Sequence, residues 1–105
     1  MANPTLRHPY AISEYAMIKT QITIINKLGL HARASAKFVS TASRFQSRID
    51  VTKATQTING KSIMGVMMLA ASQDSELLLA IDGPDEESMT EALVSLINNR
   101  FHEAE

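Results

Sequence analysis

The 105-residue chain has no cysteine and no tryptophan, and only 5% of it is aromatic. Without cysteine there is no disulfide scaffold, no thiolate metal site and no cysteine nucleophile. With so few aromatics the core must be aliphatic, filled by methionine, of which there are 6. It also means that stacking platforms for nucleic-acid bases are not on offer. No apolar run approaches the ~20 residues that span a bilayer, so no membrane insertion is expected. The N-terminus lacks the apolar centre of a secretory signal, and a cytoplasmic location is the expectation. Charge of one sign is missing too: 10 basic residues face 11 acidic ones, for a net charge of −1. That balance favours neither nucleic acid nor an anionic membrane as a partner. Metal-ligand spacings, Walker loops, dinucleotide fingerprints, internal repeats and low-complexity tracts are all absent, so no metal or other cofactor is expected.

What remains is a chain with 45% hydrophobic residues, enough for one domain of two layers. Residues 1–16 stand apart. Pro4 and Pro9 interrupt any regular element, and Met17 precedes the first patterned segment. They are read as a flexible arm, or as a mis-assigned start, ahead of a domain over 17–105.

Within the domain, Ile18 to Ile25 alternates as a strand, with Ile22 and Ile24 on one face. Asn26-Lys27-Leu28-Gly29 is loop. From His31 to Phe45 the apolar spacing turns helical through Ala34, Phe38, Thr41 or Ala42, and Phe45. Arg48 to Lys53 alternates as a half-buried strand, and a short run Thr55 to Ile58 meets the turn pair Asn59-Gly60. Ser62 to Ala70 predicts a short Met-rich helix with Ser62 as its cap. Glu76 to Asp82 is a strand stopped by Gly83-Pro84. Pro84 and the acidic 85–87 suit the first turn of a last helix running to about Phe101. Its apolar face comprises Met89, Leu93, Leu96, Ile97 and Phe101. The order βαββαβα predicts an α+β domain, one antiparallel sheet covered by helices on one side.

Three histidines are present. His8 lies in the arm and His102 at the end of the last helix, and neither position suggests chemistry. His31 differs, because it follows a turn glycine at a helix start. Backbone N–H groups there find no intrahelical partner, and the helix dipole favours negative charge. An imidazole so placed can take up a phosphoryl group whose oxygens the backbone then holds. Arg33 strengthens the reading, since a cation in a first helical turn is poorly placed unless an anion is near. The second feature is Ser62 with Ile63, Met64, Val66, Met67, Met68 and Leu69. So short a helix cannot bury all of these, and exposed methionine and isoleucine mark an adaptable docking surface.

Two motifs, Gly29-Leu30-His31-Ala32-Arg33 and Lys61-Ser62-Ile63-Met64-Gly65-Val66-Met67, resemble those of HPr, the histidine phosphocarrier family of the phosphoenolpyruvate-dependent sugar phosphotransferase system. They lie at that family's separation, within a resemblance over about 18–103. The resemblance implies an open-faced β-sandwich, a four-stranded antiparallel sheet with three helices on one face. It implies that His31 accepts the phosphoryl group on Nδ1 from enzyme I and donates it to enzyme IIA domains. The amides of Ala32 and Arg33 would hold the phosphate, with the Arg33 side chain as support. Ser62 would be the target of an HPr kinase/phosphorylase. Leu30, Ile63, Met64 and Met67 would form the docking face of a carrier that works as a monomer and is not itself an enzyme. The usual proline after His-Ala-Arg is here Ala34, followed by Ser35, which costs stiffness at the helix start but not the helix. A nitrogen-related paralogue, NPr, is the alternative. It would keep His31 but match less well around Lys61 to Met67.

Overall fold

The computed structural model describes residues 15–105. The arm expected over 1–16, and His8 with it, lies outside the described residues except for Tyr15 and Ala16. The element order is β1 (Ile18–Thr23), α1 (Ala32–Ala42), β2 (Arg48–Lys53), β3 (Gln56–Asn59), α2 (Ile63–Met68), β4 (Glu76–Asp82) and α3 (Glu86–Asn98). A short 3₁₀ turn, Arg100–His102, follows.

The four strands form one sheet in the order β1-β4-β2-β3. Every neighbouring pair is antiparallel, with Ile22 opposite Leu77, Ile49 opposite Ile81 and Val51 opposite both Leu79 and Ile58. Strand alternation sends Ile22, Ile49, Val51, Leu77, Leu79 and Ile81 to the helix side. There they meet Phe38 of α1, Val66 of α2 and Met89, Leu93 and Ile97 of α3. The opposite face carries polar pairs at the surface, Gln21 with Glu76 and Thr52 with Thr57. The core is aliphatic, as the shortage of aromatics requires, and Phe38 and Phe101 are its large rings.

Element ends differ from the sequence pattern where local bonds intervene. β1 stops at Thr23, although Ile24 still bonds Ser75 across the loop and is buried. α1 ends at Ala42, because Ser43 to Phe45 turn tightly back on Val39, Thr41 and Ala42. β2 and β3 join through Ala54-Thr55, with Ala54 at φ +56, and β3 begins at Gln56. α2 ends at Met68, capped by Leu69. Ala70 follows in the left-handed region at φ +49, and the Lys53 Nζ donates to the carbonyls of Leu69 and Ala70.

Left-handed backbone costs an alanine about 1–2 kcal/mol, and glycine is the usual residue at this helix-end position. Ala70→Gly should therefore stabilise the protein by about 0.5–1 kcal/mol, after the greater freedom of an unfolded glycine is subtracted. Urea unfolding measures it as a higher midpoint at an unchanged slope.

Pro84 lies outside the last helix, and Asp85 is the N-cap of α3. Its side chain caps nothing in α3. It accepts instead from the Ser47 hydroxyl at 2.5 Å and from the backbone N–H groups of Ser47 and Gln46, each at 2.9 Å. Asp85 thus clasps the start of β2 to the start of α3. The Ser47 hydroxyl bond, followed by the Gln46 amide bond, holds its carboxyl below the ordinary 3.8. A carboxyl depressed on folding stabilises fully above its unfolded pKa and loses that stabilisation as pH falls through the folded one. The melting difference between the parent and Asp85→Asn should therefore be full at neutral pH and shrink below about pH 4.

Candidate functional site

The segment ahead of α1 is built around Gly29, at φ +67. A Cβ at this position would lie 2.5 Å from the Ala71 carbonyl oxygen and 2.8 Å from the Ser72 Cα. Glycine lets the two loops close on each other, and the Leu30 N–H then donates to the Ala71 carbonyl at 2.8 Å. The buried Ser35 hydroxyl fastens the same segment from the helix side, donating to the Leu30 carbonyl at 3.1 Å.

His31 is the N-cap of α1, in extended conformation, and its side chain makes no capping bond. The first backbone donor to bond back is the Ser35 N–H, to the His31 carbonyl at 2.8 Å. The N–H groups of Ala32, Arg33 and Ala34 therefore have no acceptor within the helix. His31 is 29% exposed. It opens on a surface cavity of about 760 Å³ lined by Lys27, Leu28, His31, Ala32, Arg33, Glu103, Ala104 and Glu105. Arg33 is exposed at its edge. The two residues that the Gly29–Ser35 motif offers for anion binding thus face one space.

The sequence pattern did not point to Glu103, which reaches the same site. Its Oε2 meets the His31 Nε2 in a close hydrogen bond. Its Oε1 accepts from the Asn26 Nδ2 at 3.0 Å, and that same nitrogen donates to the Gly29 carbonyl at 2.9 Å. Asn26 is fully buried. Burial alone would push the Glu103 carboxyl up. The bonds from Asn26 and His31, with the charges of His31 and Lys37, outweigh it and hold the carboxyl below its ordinary value. The imidazole therefore sits between a helix N-terminus and a carboxylate, two electrostatic influences of opposite sign.

Glu103 gets there because the last helix ends early. Arg100, Phe101 and His102 all have positive φ, and they turn the chain back toward α1. Phe101 is not on the face of α3. It is buried from within this turn, and its carbonyl accepts from the Lys37 Nζ at 2.6 Å. His102 is exposed on the turn. The Asn98-Asn99 pair was the available signal, since asparagine is common at helix ends.

Ser62 is the N-cap of α2, and its hydroxyl oxygen accepts from the Gly65 N–H at 3.0 Å. Val66 and Leu69 are buried, while Ile63, Met64, Met67 and Met68 are exposed, Met64 to 71%. Leu30, expected among the docking residues, turns inward and is 6% exposed, because its backbone is held by Ala71 and Ser35. Leu28, 69% exposed, is the apolar residue that stands out beside His31.

A family model described as the PTS HPr component phosphorylation site matches residues 18–99. The phosphocarrier protein HPr of Neisseria meningitidis is 56% identical over 89 residues, 85% of this chain and all of that one. The chain belongs to the HPr family of phosphocarrier proteins. HPr of Pseudomonas aeruginosa is 54% identical over 86 residues, 81% of this chain and 96% of its own. The fold agrees as well. HPr of Thermoanaerobacter tengcongensis superposes with a TM-score of 0.81 at 48% identity, over 84% of this chain and 99% of that one. A dimer of that HPr, 51% identical with a TM-score of 0.67, covers 78% of this chain and 94% of its own. The open-faced sandwich of the phosphotransferase-system carriers is thus the fold of this chain. The nitrogen-related alternative is not favoured, since these relatives are HPr proteins. No helix among the described residues is long and apolar enough to cross a membrane.

Proposed function

We propose that the chain carries a phosphoryl group on the Nδ1 of His31, between phosphorylated enzyme I and enzyme IIA domains that serve sugar uptake. The observation that supports this best is the position of His31 at the start of α1, ahead of unpaired amides and open to a surface cavity. In the forward step the Nδ1 lone pair bonds to phosphorus as the donor's bond to phosphorus breaks. The amides of Ala32 and Arg33 and the guanidinium of Arg33 stabilise the anionic oxygens. The rest of the transfer machinery belongs to the partner proteins, so the chain works as a carrier and not as a stand-alone enzyme. It works as a monomer in the cytoplasm.

Ile63, Met64 and Met67, all exposed, form the docking face of α2. Ser62 caps that face and is the residue an HPr kinase/phosphorylase would modify. A phosphate there adds about −1.5 to −2 charges at a helix start, which tolerates them, so the effect falls on docking and not on folding.

The test uses phosphoenolpyruvate, enzyme I and trypsin. An acid-labile phosphoryl adduct should appear on the intact chain and map to the peptide 28–33, whose one histidine is His31. An adduct on the peptide holding His102, or no adduct, overturns the reading.

A further inference from the structure

We propose that Glu103 is a positioning residue for this transfer, holding the His31 ring as its Nε2–H tautomer so that Nδ1 presents a lone pair. The proposal rests on the carrier reading and adds to it how the correct nitrogen is made available.

The geometry is a line of three side chains running from the interior to the surface. Asn26 is fully buried, and its Nδ2 is committed to the Gly29 carbonyl and to Glu103 Oε1. That bond fixes one carboxylate oxygen and aims the other, Oε2, at the His31 Nε2. An ionised carboxylate can only accept, so the proton between the two residues belongs to Nε2. Among the described residues Nδ1 has no hydrogen-bond partner, and the His31 side chain makes no capping bond to the amides of α1. The chain reversal that delivers Glu103 is itself anchored, by the buried Phe101 ring and by the bond from the Lys37 Nζ to the Phe101 carbonyl. The other charged groups around the cavity are Lys27, Arg33 and Glu105, and Lys27 pairs with Glu105 at 3.4 Å.

The chemistry balances without a proton entering or leaving. On acceptance from a phosphohistidine donor, the Nδ1–P bond forms and the donor's N–P bond breaks, its electron pair staying with the donor ring. The His31 ring keeps its Nε2 proton and becomes cationic, and Glu103 neutralises that charge. On donation the Nδ1–P bond breaks and its pair returns to Nδ1, so the leaving group is a neutral imidazole and not an imidazolate. A carboxylate behind the imidazole does this work in other histidine-dependent sites by fixing the tautomer and stabilising the cation.

Glu103→Gln separates positioning from mere packing. The Asn26 Nδ2 can donate only to the new amide oxygen, which turns the new amide NH₂ toward His31. Nε2 must then accept, and the ring proton moves to Nδ1, the wrong nitrogen. In the full chain labelled with ¹⁵N, the imidazole signals of the neutral ring should show Nε2–H for the parent and Nδ1–H for Glu103→Gln. The transfer rate from phosphorylated enzyme I should fall about a hundredfold, with little change in melting midpoint, since both hydrogen bonds are retained in number. Glu103→Ala, with the ring unconstrained, should show both tautomers and a smaller loss of about tenfold. Parental tautomer and parental rate in Glu103→Gln overturn the proposal, as does a parental rate in Glu103→Ala. Because the tautomer is read on the unphosphorylated chain, failure of the carrier reading looks different: an Nε2–H parent ring that never takes an adduct.

Discussion

His31→Ala is expected to leave no acid-labile phosphoryl adduct after incubation with phosphoenolpyruvate and enzyme I. Loss of the nucleophile itself should lower acceptance by more than about a thousandfold, with no neighbour among the described residues able to replace it. His102 is exposed on the 3₁₀ turn and is followed by Glu103, whose carboxylate points to His31. The surrounding fold should survive, because the His31 side chain caps no helix N–H. The main structural cost is a Glu103 carboxylate left with Asn26 alone. For a charge-assisted bond at a partly exposed ring that amounts to about 1–2 kcal/mol. Intact-mass spectrometry reads the adduct, and urea unfolding reads the stability. A folded His31→Ala protein that still accepts phosphate would remove His31 from the mechanism.

The second large effect is expected at Gly29→Ala. The residue sits at φ +67, which costs an L-alanine about 1–2 kcal/mol. Its new Cβ would also fall 2.5 Å from the Ala71 carbonyl oxygen, and backbone must move to admit it. Overpacking of this kind adds about 1–3 kcal/mol, for a total of about 2–5 kcal/mol. Against a domain stability of about 5–15 kcal/mol that is a large fraction. The same movement pushes apart the bond from the Leu30 N–H to the Ala71 carbonyl, which sets where His31 enters α1. Gly29→Ala should therefore lose both melting temperature and phosphoryl acceptance, whereas Ala70→Gly should gain stability and leave acceptance unchanged. Parental melting in Gly29→Ala would show that the Ala71–Ser72 loop yields freely.

Ser62 and His31 show how far local pattern reaches. A serine before a short Met-rich run reads as a cap, and its hydroxyl does accept from the Gly65 N–H. A histidine after Gly29 reads as a helix start, and it is the cap residue of α1. Both depend on neighbours within four residues, where sequence and structure are tied by geometry. Strand faces were legible for the same reason: the period of two put Ile22 and Ile24 on one face, and both are buried. Helix ends were less legible. Nothing in the spacing of Met89, Leu93, Ile97 and Phe101 reveals that Phe101 is buried from a left-handed turn beyond the helix, because a buried ring satisfies either geometry.

The sequence by itself therefore determined the β and α order, the aliphatic core, the solvent-facing methionines of α2 and the helix-start histidine with its arginine. Periodicity, capping and composition are properties of short stretches. Only the tertiary structure decided the direction of Leu30, the clasp of Asp85 on Ser47 and the line from Asn26 through Glu103 to His31. Each joins residues far apart in the chain. Such contacts are set by how the loops close and not by any local preference of the residues that make them.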